Sequence, residues 1–360
     1  MACAAGGGGE IAGDEGSVAD LGEFGVIAAL RARMPAGPLT SVGIGDDAAV
    51  VGTPSGSVVA AVDLLIEGRH FRRDWSSAYD VGVKAAARSL ADIAAMGAVN
   101  TALLVALATP GTIPARWATD LAEGLAAEAT RAGAGIVGGD TARADSVTLS
   151  VTALGDLEGR RPVLRSGARP GDVIAVAGPL GHSAAGLALL TAGAAAAADE
   201  LVTAHLRPAP PYDAGPEAAR LGATAMIDVS DGLLADVGHV AAASGVRINL
   251  KTASLAVGTA LREAAARLSV PLSPSRTTAA YSPATASAAS VRTPSGDRSE
   301  TAVALEWVLT GGEDHSLVAA FPAAVTLPAR WRVIGEVRAG AGVTVDGVPH
   351  EGPAGWQHFR

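Results

Sequence analysis

Five short, acid-bearing turns carry the residue types in this chain that could do chemistry. The first is Gly43-Ile44-Gly45-Asp46-Asp47, where two glycines free the backbone and two adjacent carboxylates precede the apolar run 48–51. Two unit charges ~4 Å apart repel by about 4 kcal/mol at an effective dielectric near ~20. Acids held together in one cleft therefore call for a hard divalent cation, and oxygen ligands suit Mg²⁺. Asp63 closes the strand-like run 58–62, the position where α/β folds present ligand groups, with Glu67, Arg69 and His70 just behind it. Gly138-Gly139-Asp140-Thr141 delivers another carboxylate beside glycines that let a phosphate approach the backbone. Ile227-Asp228-Val229-Ser230-Asp231-Gly232 runs from a strand through a polar turn into a helix, whose N-terminus is a ready anion site. Gly311-Gly312-Glu313-Asp314 repeats the pattern. Each turn alone also fits a plainer description as a solvated turn or a helix N-cap. Their recurrence at the edges of apolar segments is what points to a shared metal-phosphate site.

Other patterns narrow the chemistry. Lys84, Arg88 and Asp92 are spaced by four on a helix predicted over 79–96, so they share one face. That face reads equally as an exposed ladder of ion pairs or as a partly buried acid with its partners. Gly133-Ala134-Gly135-Ile136-Val137-Gly138 matches G-x-G-x-x-G in form only, because it follows a helix and enters a strand, whereas a dinucleotide fingerprint leaves a strand and opens a helix. Walker A, H-R-D, D-F-G and G-x-S-x-G signatures and zinc-type Cys/His spacings are absent from the sequence. Nucleophilic catalysis is unsupported, and metal-assisted phosphoryl transfer is the reading left.

The elements that must position these turns form an α/β pattern in two parts. Apolar runs predict strands at 58–63, 102–108, 135–139 and 147–154, with helices at 79–96 and 115–131. A second unit has strands at 172–177, 224–228, 247–250, 315–321 and 331–337, and helices near 183–192, 213–221, 231–244 and 257–268. The Gly-, Arg- and Pro-rich stretch 155–171 separates them, which sets expected domains of 22–155 and 156–360. Residues 1–21 read as a disordered leader, and 271–301, rich in Ser, Thr, Ala and Pro, as a flexible insertion too poor in core formers to fold alone.

A formal charge of −9 argues against a nucleic-acid partner, and an anionic substrate would need metal ions as intermediaries. Cys3 is the single cysteine, so no intramolecular disulfide is possible and a reducing cytoplasm is expected. No run is long and apolar enough to span a bilayer, so no membrane partner is expected.

Assembled, these motifs resemble the thiamine-monophosphate kinase family of the aminoimidazole-ribonucleotide-synthetase-like superfamily. The resemblance spans about 22–270 and 302–360 and also rests on Gly68-Arg69-His70-Phe71, on 90–98, on Arg165-Ser166-Gly167-Ala168 and on Gly355-Trp356-Gln357-His358-Phe359. It implies a two-domain synthetase-like fold of the α/β (α+β) class, with an N-terminal α/β domain that dimerises through its sheet and a C-terminal α/β domain. It also implies direct transfer of the ATP γ-phosphoryl onto thiamine monophosphate, with ATP as donor and several Mg²⁺ ions. By residue matching, Asp46, Asp63, Asp92, Asp140, Asp228 and Asp231 would bind metal, and Gly139, Asp140, Arg165 and Ser230 would touch ATP. Asp46, Asp231 and Arg165 would carry catalysis, while His70, Glu313 and Trp356 would contact the substrate. Ala61 and Val62 stand where family members commonly carry hydroxyl residues, so metal contact there would fall to backbone carbonyls or water. Another ATP-dependent enzyme of the superfamily, and a catalytically silent nucleotide-binding protein, are the alternatives; the six matched acids speak against the second.

Overall fold

The computed structural model describes residues 17–44, 48–196, 199–269, 299–350 and 354–356. Asp46 and Asp47, nearly all of the segment read as an insertion, and the first sixteen residues lie outside the described residues. Ser17 and Asp20 exchange hydrogen bonds in a capping box that starts α1 (Val18–Arg31), kinked where Gly22 has φ 66°. Composition alone assigns this first turn to the leader. A short antiparallel pair comes next, β1 (Thr40–Val42) and β2 (Val50–Val51).

The first layer is built from β3 (Val59–Ile66), α2 (Ala78–Ala95), β4 (Val99–Thr109), α3 (Ala115–Arg131), β5 (Gly135–Arg143) and β6 (Thr148–Asp156). Its sheet runs β3-β6-β4-β5, with only the β4–β5 pair parallel. Two expected strand ends move: β3 continues three residues past Asp63, and β5 continues past Gly139 to Arg143. Both acids are therefore inside strands. α2 begins at a second capping box, Ser77 with Asp80, and stops before Gly97, whose φ of 76° suits a residue without Cβ.

The second layer contains β7 (Asp172–Ala177), α4 (His182–Thr191), α5 (Glu200–Leu206), α6 (Ala214–Arg220), β8 (Ala225–Asp228), α7 (Leu233–Ser244), β9 (Arg247–Leu250), α8 (Thr259–Ser269) and α9 (Glu300–Thr310). It is completed by β10 (Leu317–Pro322), β11 (Trp331–Arg338), β12 (Gly342–Val345) and β13 (Val348–Pro349). Its sheet order is β13-β12-β9-β11-β7-β10-β8, and only the β12–β9 pair is parallel. The strands alternate as a sheet buried on both faces must. Ala175, Ala177, Met226, Leu317, Ala319 and Phe321 join the core around α2, while Ile174, Val176, Ala225, Ile227, Val318 and Ala320 join the core under α7, α8 and α9.

α2 thus touches both sheets, and it packs on α3 almost backbone to backbone. A Cβ added to Gly124 would lie 2.1 Å from the Tyr79 carbonyl oxygen, and one on Gly82 would lie 2.2 Å from that of Leu121. Gly124→Ala gains about 1 kcal/mol of helix propensity, but backbone cannot yield as a side-chain tip can, and overpacking costs about 1–3 kcal/mol. The net expectation is destabilisation, read as a lower urea midpoint at unchanged slope; a raised midpoint would show that the two helices part freely. No described helix is long and apolar enough to cross a membrane.

Candidate active site

The face of α2 carrying Lys84, Arg88 and Asp92 looks toward the second layer. Lys84 and Arg88 do not form a ladder with Asp92; they converge on Glu313. The Lys84 ammonium donates to Glu313 Oε2 at 2.8 Å and to the His70 carbonyl oxygen at 3.2 Å, while Arg88 donates to Glu313 Oε1 at 2.9 Å. Lys84 has a side-chain exposure of only 2%, so this pairing is obligatory for it. Burial alone would raise the Glu313 carboxyl, but Lys84 and Arg88 outweigh it and hold it well below the usual range. Glu313 takes a left-handed backbone, φ 63°, and its N–H donates to the Ser230 carbonyl oxygen at 2.8 Å, which ties this loop to the turn after β8. His205 approaches Glu313 at 3.7 Å, yet burial and then Lys84 push its imidazole down to about 3, so it is neutral and adds no ion pair near pH ~7.

Beside this clamp lie three carboxylates from three elements. Asp63, on β3, has the Ser89 hydroxyl 3.1 Å from its Oδ2 and Arg88 3.9 Å from its Oδ1. Asp92, one turn beyond Arg88, is pushed up to about 8 by burial, then by the Asp228 and Asp63 carboxylates, against the pull of Arg88 and Arg165. Asp228 ends β8 almost fully buried, with His315 Nδ1 3.1 Å from its Oδ2.

The turn after Asp228 differs from its sequence reading. The N–H groups of Ser230, Asp231 and Gly232 do not wait for a phosphate: all three donate to Asp236 Oδ2, at 3.1, 3.1 and 3.0 Å. Asp236 is itself pushed up to about 8 by burial and by the Asp228 and Asp231 carboxylates. Gly232 is required here, since at φ 127° a Cβ would lie 2.5 Å from the Thr310 carbonyl oxygen. Asp314 acts similarly at α4, accepting from the N–H groups of Gly181 at 2.5 Å and Ser183 at 2.9 Å.

The remaining sequence-derived residues divide. Trp356 returns to the site, its N–H donating to the Asp231 carbonyl oxygen at 2.8 Å. His70 uses Nδ1 to accept the Ile66 N–H at 3.0 Å, and Ser230 meets Glu313 through its carbonyl. Arg165 is exposed, and its charge bears on Asp92. Gly139 shares a row with Val105, Val151 and Asp63, whereas Asp140 belongs to the next row, with Ala106, Ser150 and Leu64, on the exposed face of the sheet. Three inter-strand spacings of about 4.8 Å separate those rows' ends, so within one chain Asp140 is not brought to Asp63. Sequence reasoning missed Asp236 and His315, and it named Asp314 in its motif without its task; Asp236 falls beyond the first turn of the helix predicted at 231–244 and enters the first turn only because α7 starts at Leu233. Among the described residues, no three His, Cys, Asp or Glu side chains converge as a ready metal cage.

Acids gathered beneath a cationic clamp on two α/β layers define the class, and two family profiles describe it. AIR synthase related protein, N-terminal domain, matches residues 45–157, and AIR synthase related protein, C-terminal domain, matches 169–347. Thiamine-monophosphate kinase of Mycobacterium tuberculosis is 49% identical over 94% of this chain and 92% of its own length. That of Corynebacterium glutamicum is 37% identical over 96% of both chains. Among solved structures, AaThiL complexed with AMPPCP and TMP is 30% identical with a TM-score of 0.72, covering 94% of this chain and 98% of that one. Thiamine-monophosphate kinase from Stenotrophomonas maltophilia is 31% identical with a TM-score of 0.70, covering 90% and 95%. The chain belongs to the thiamine-monophosphate kinase family.

Proposed function

We infer that the protein transfers the γ-phosphoryl group of ATP to the phosphate of thiamine monophosphate, forming thiamine diphosphate and ADP. The observation that carries the reading is the common electrostatic field of Asp63, Asp92 and Asp228, drawn from β3, α2 and β8 in a chain of this family. A phosphate oxygen of thiamine monophosphate attacks the γ-phosphorus. The bond from that phosphorus to the β–γ bridging oxygen breaks, and its electron pair stays on ADP. Two polyanions must meet in line, so their repulsion is the chief obstacle and positioning the chief contribution of the protein.

The residues present fit Mg²⁺. They are hard oxygen donors, and burial first and neighbouring carboxylates second raise Asp92 and Asp236. Mg²⁺ commonly takes one or two carboxylates and completes its shell with waters and substrate phosphate oxygens. Asp63, Asp92, Asp228 and Asp231 would hold it, with Asp46 and with Asp140, whose exposed face would have to be met from a second copy. When bound, the metal would supply positive charge between the phosphates. Gly139, Arg165 and Ser230 would serve ATP, Arg165 offering a guanidinium fork. An ionised Glu313 suits the cationic thiazolium, and Trp356 offers a ring face for stacking. His70 would complete the acceptor side. The homodimer we propose uses the exposed face of β3-β6-β4-β5, where Val62 is 62% and Leu64 52% exposed. Cytoplasmic ATP is the donor in this scheme.

Purified protein with ATP and Mg²⁺ should convert thiamine monophosphate, and not thiamine, to thiamine diphosphate, as read by chromatography of the products. Activity should vanish with chelator and return with added Mg²⁺. Turnover of thiamine alone would reject the acceptor, and full activity in chelator would reject the metal.

A further inference from the structure

His315 belongs to no part of the chemistry above, yet it is among the most constrained side chains in the chain. It is 2% exposed, its backbone is left-handed at φ 51°, and its N–H donates to the Val229 carbonyl oxygen at 2.9 Å. A non-glycine residue in that conformation persists only where its surroundings over-determine it. The imidazole makes one polar contact, Nδ1 to Asp228 Oδ2 at 3.1 Å, and Nε2 is buried with no hydrogen-bond partner among the described residues. A carboxylate can only accept, so Nδ1 carries the proton and donates. Asp228 Oδ1 accepts no hydrogen bond among the described residues, so the two oxygens of this acid are unequal.

We propose that His315 is the positioning residue of Asp228: its Nδ1–H holds Oδ2, fixes the plane of the carboxylate and turns Oδ1 toward the cleft as the single ligating oxygen. The role rests on the metal reading given above. Such outer contacts orient a ligand that would otherwise rotate, and their loss lowers metal affinity about 10–100-fold in sites of this kind. Asp228 sits at the last position of β8, opposite Leu317 of β10, and just beyond it the Val229 N–H donates to the Ser316 carbonyl oxygen at 2.8 Å while the His315 N–H donates to that of Val229, so the backbone itself holds the imidazole beside this acid.

Two variants and two readouts test it. Asn can place its amide N–H near where Nδ1–H lies, whereas Ala cannot. Mn²⁺ binding, measured by loss of the free-ion electron paramagnetic resonance signal in the presence of AMPPCP, should weaken about tenfold or more in His315→Ala. His315→Asn should recover to within about threefold of the parent, well inside that loss. Nitrogen-15 spectra of the metal-free parent should show the proton of this ring on Nδ1. A ring protonated on Nε2 alone, or His315→Asn binding as poorly as His315→Ala, would overturn the assignment. Equal Mn²⁺ binding in the parent and in His315→Ala would sink the role of His315 while leaving the metal site standing. No binding by the parent would sink the metal site and this role with it.

Discussion

Asp92→Asn should make the metal-free protein more stable while removing most of its activity. Folded, the Asp92 carboxyl holds its proton up to about 8, because it is buried and faces Asp228 and Asp63. Unfolded, a carboxyl titrates near ~3.9. A raised folded value means that the favourable contribution is complete below about pH 4 and is lost progressively as pH climbs to about 8. Asn is neutral throughout and escapes the loss. At pH ~8 without metal, the variant should therefore gain on the order of a few kcal/mol in denaturant unfolding, and the gain should shrink toward pH ~5. Its kcat should fall about 10²–10³-fold, the scale for deleting one group that organises transition-state charge. A variant that is both less stable at pH ~8 and fully active would refute the shared acid field.

The second large effect concerns the clamp. Glu313→Gln removes the charge that Lys84 and Arg88 converge on, leaving Lys84 buried without a counter-ion. Breaking a buried pair from one side costs about 3–5 kcal/mol; Glu313 is 24% exposed, so about 3 kcal/mol is the fitting figure. Replacing Lys84 by Met in the same chain removes the stranded charge. The double variant Glu313→Gln, Lys84→Met should thus lie above the sum of the singles by about 1 kcal/mol or more. Strict additivity of the unfolding free energies would mean that the two side chains do not depend on each other.

Much of the scaffold was legible because it derives from period and punctuation. The apolar runs at 172–177 and 224–228, and the helix expected over 79–96, are local facts that the structure repeats as β7, β8 and α2. What escaped was decided at a distance. An acid interrupts the apolar run at Asp63 and so marks a strand end in sequence; in the fold Ser89 takes that acid and the ladder to β6 continues. β5 runs through polar residues because β4 pairs with it as far as Arg143. α9 begins at Ser299, an N-cap at the tail of a low-complexity stretch, and composition hid it. Within the site, the acids were visible as motifs, but their partners were not. Nothing in Gly311-Gly312-Glu313-Asp314 says that its two acids turn to opposite tasks, one onto α2 and one onto α4.

The aspartates seated at the amino ends of α4 and α7 carry a consequence for selectivity. Inorganic phosphate, sulfate and similar small oxyanions ordinarily settle on such amides, and here internal carboxylates already occupy them. A lone oxyanion would find these amides taken, Lys84 and Arg88 already engaged by Glu313, and the Asp63 and Asp228 carboxylates close by. Entry would then be licensed by an escorting cation, so that abundant free phosphate in a cell would pass the cleft by while a metal-bearing nucleotide would stay.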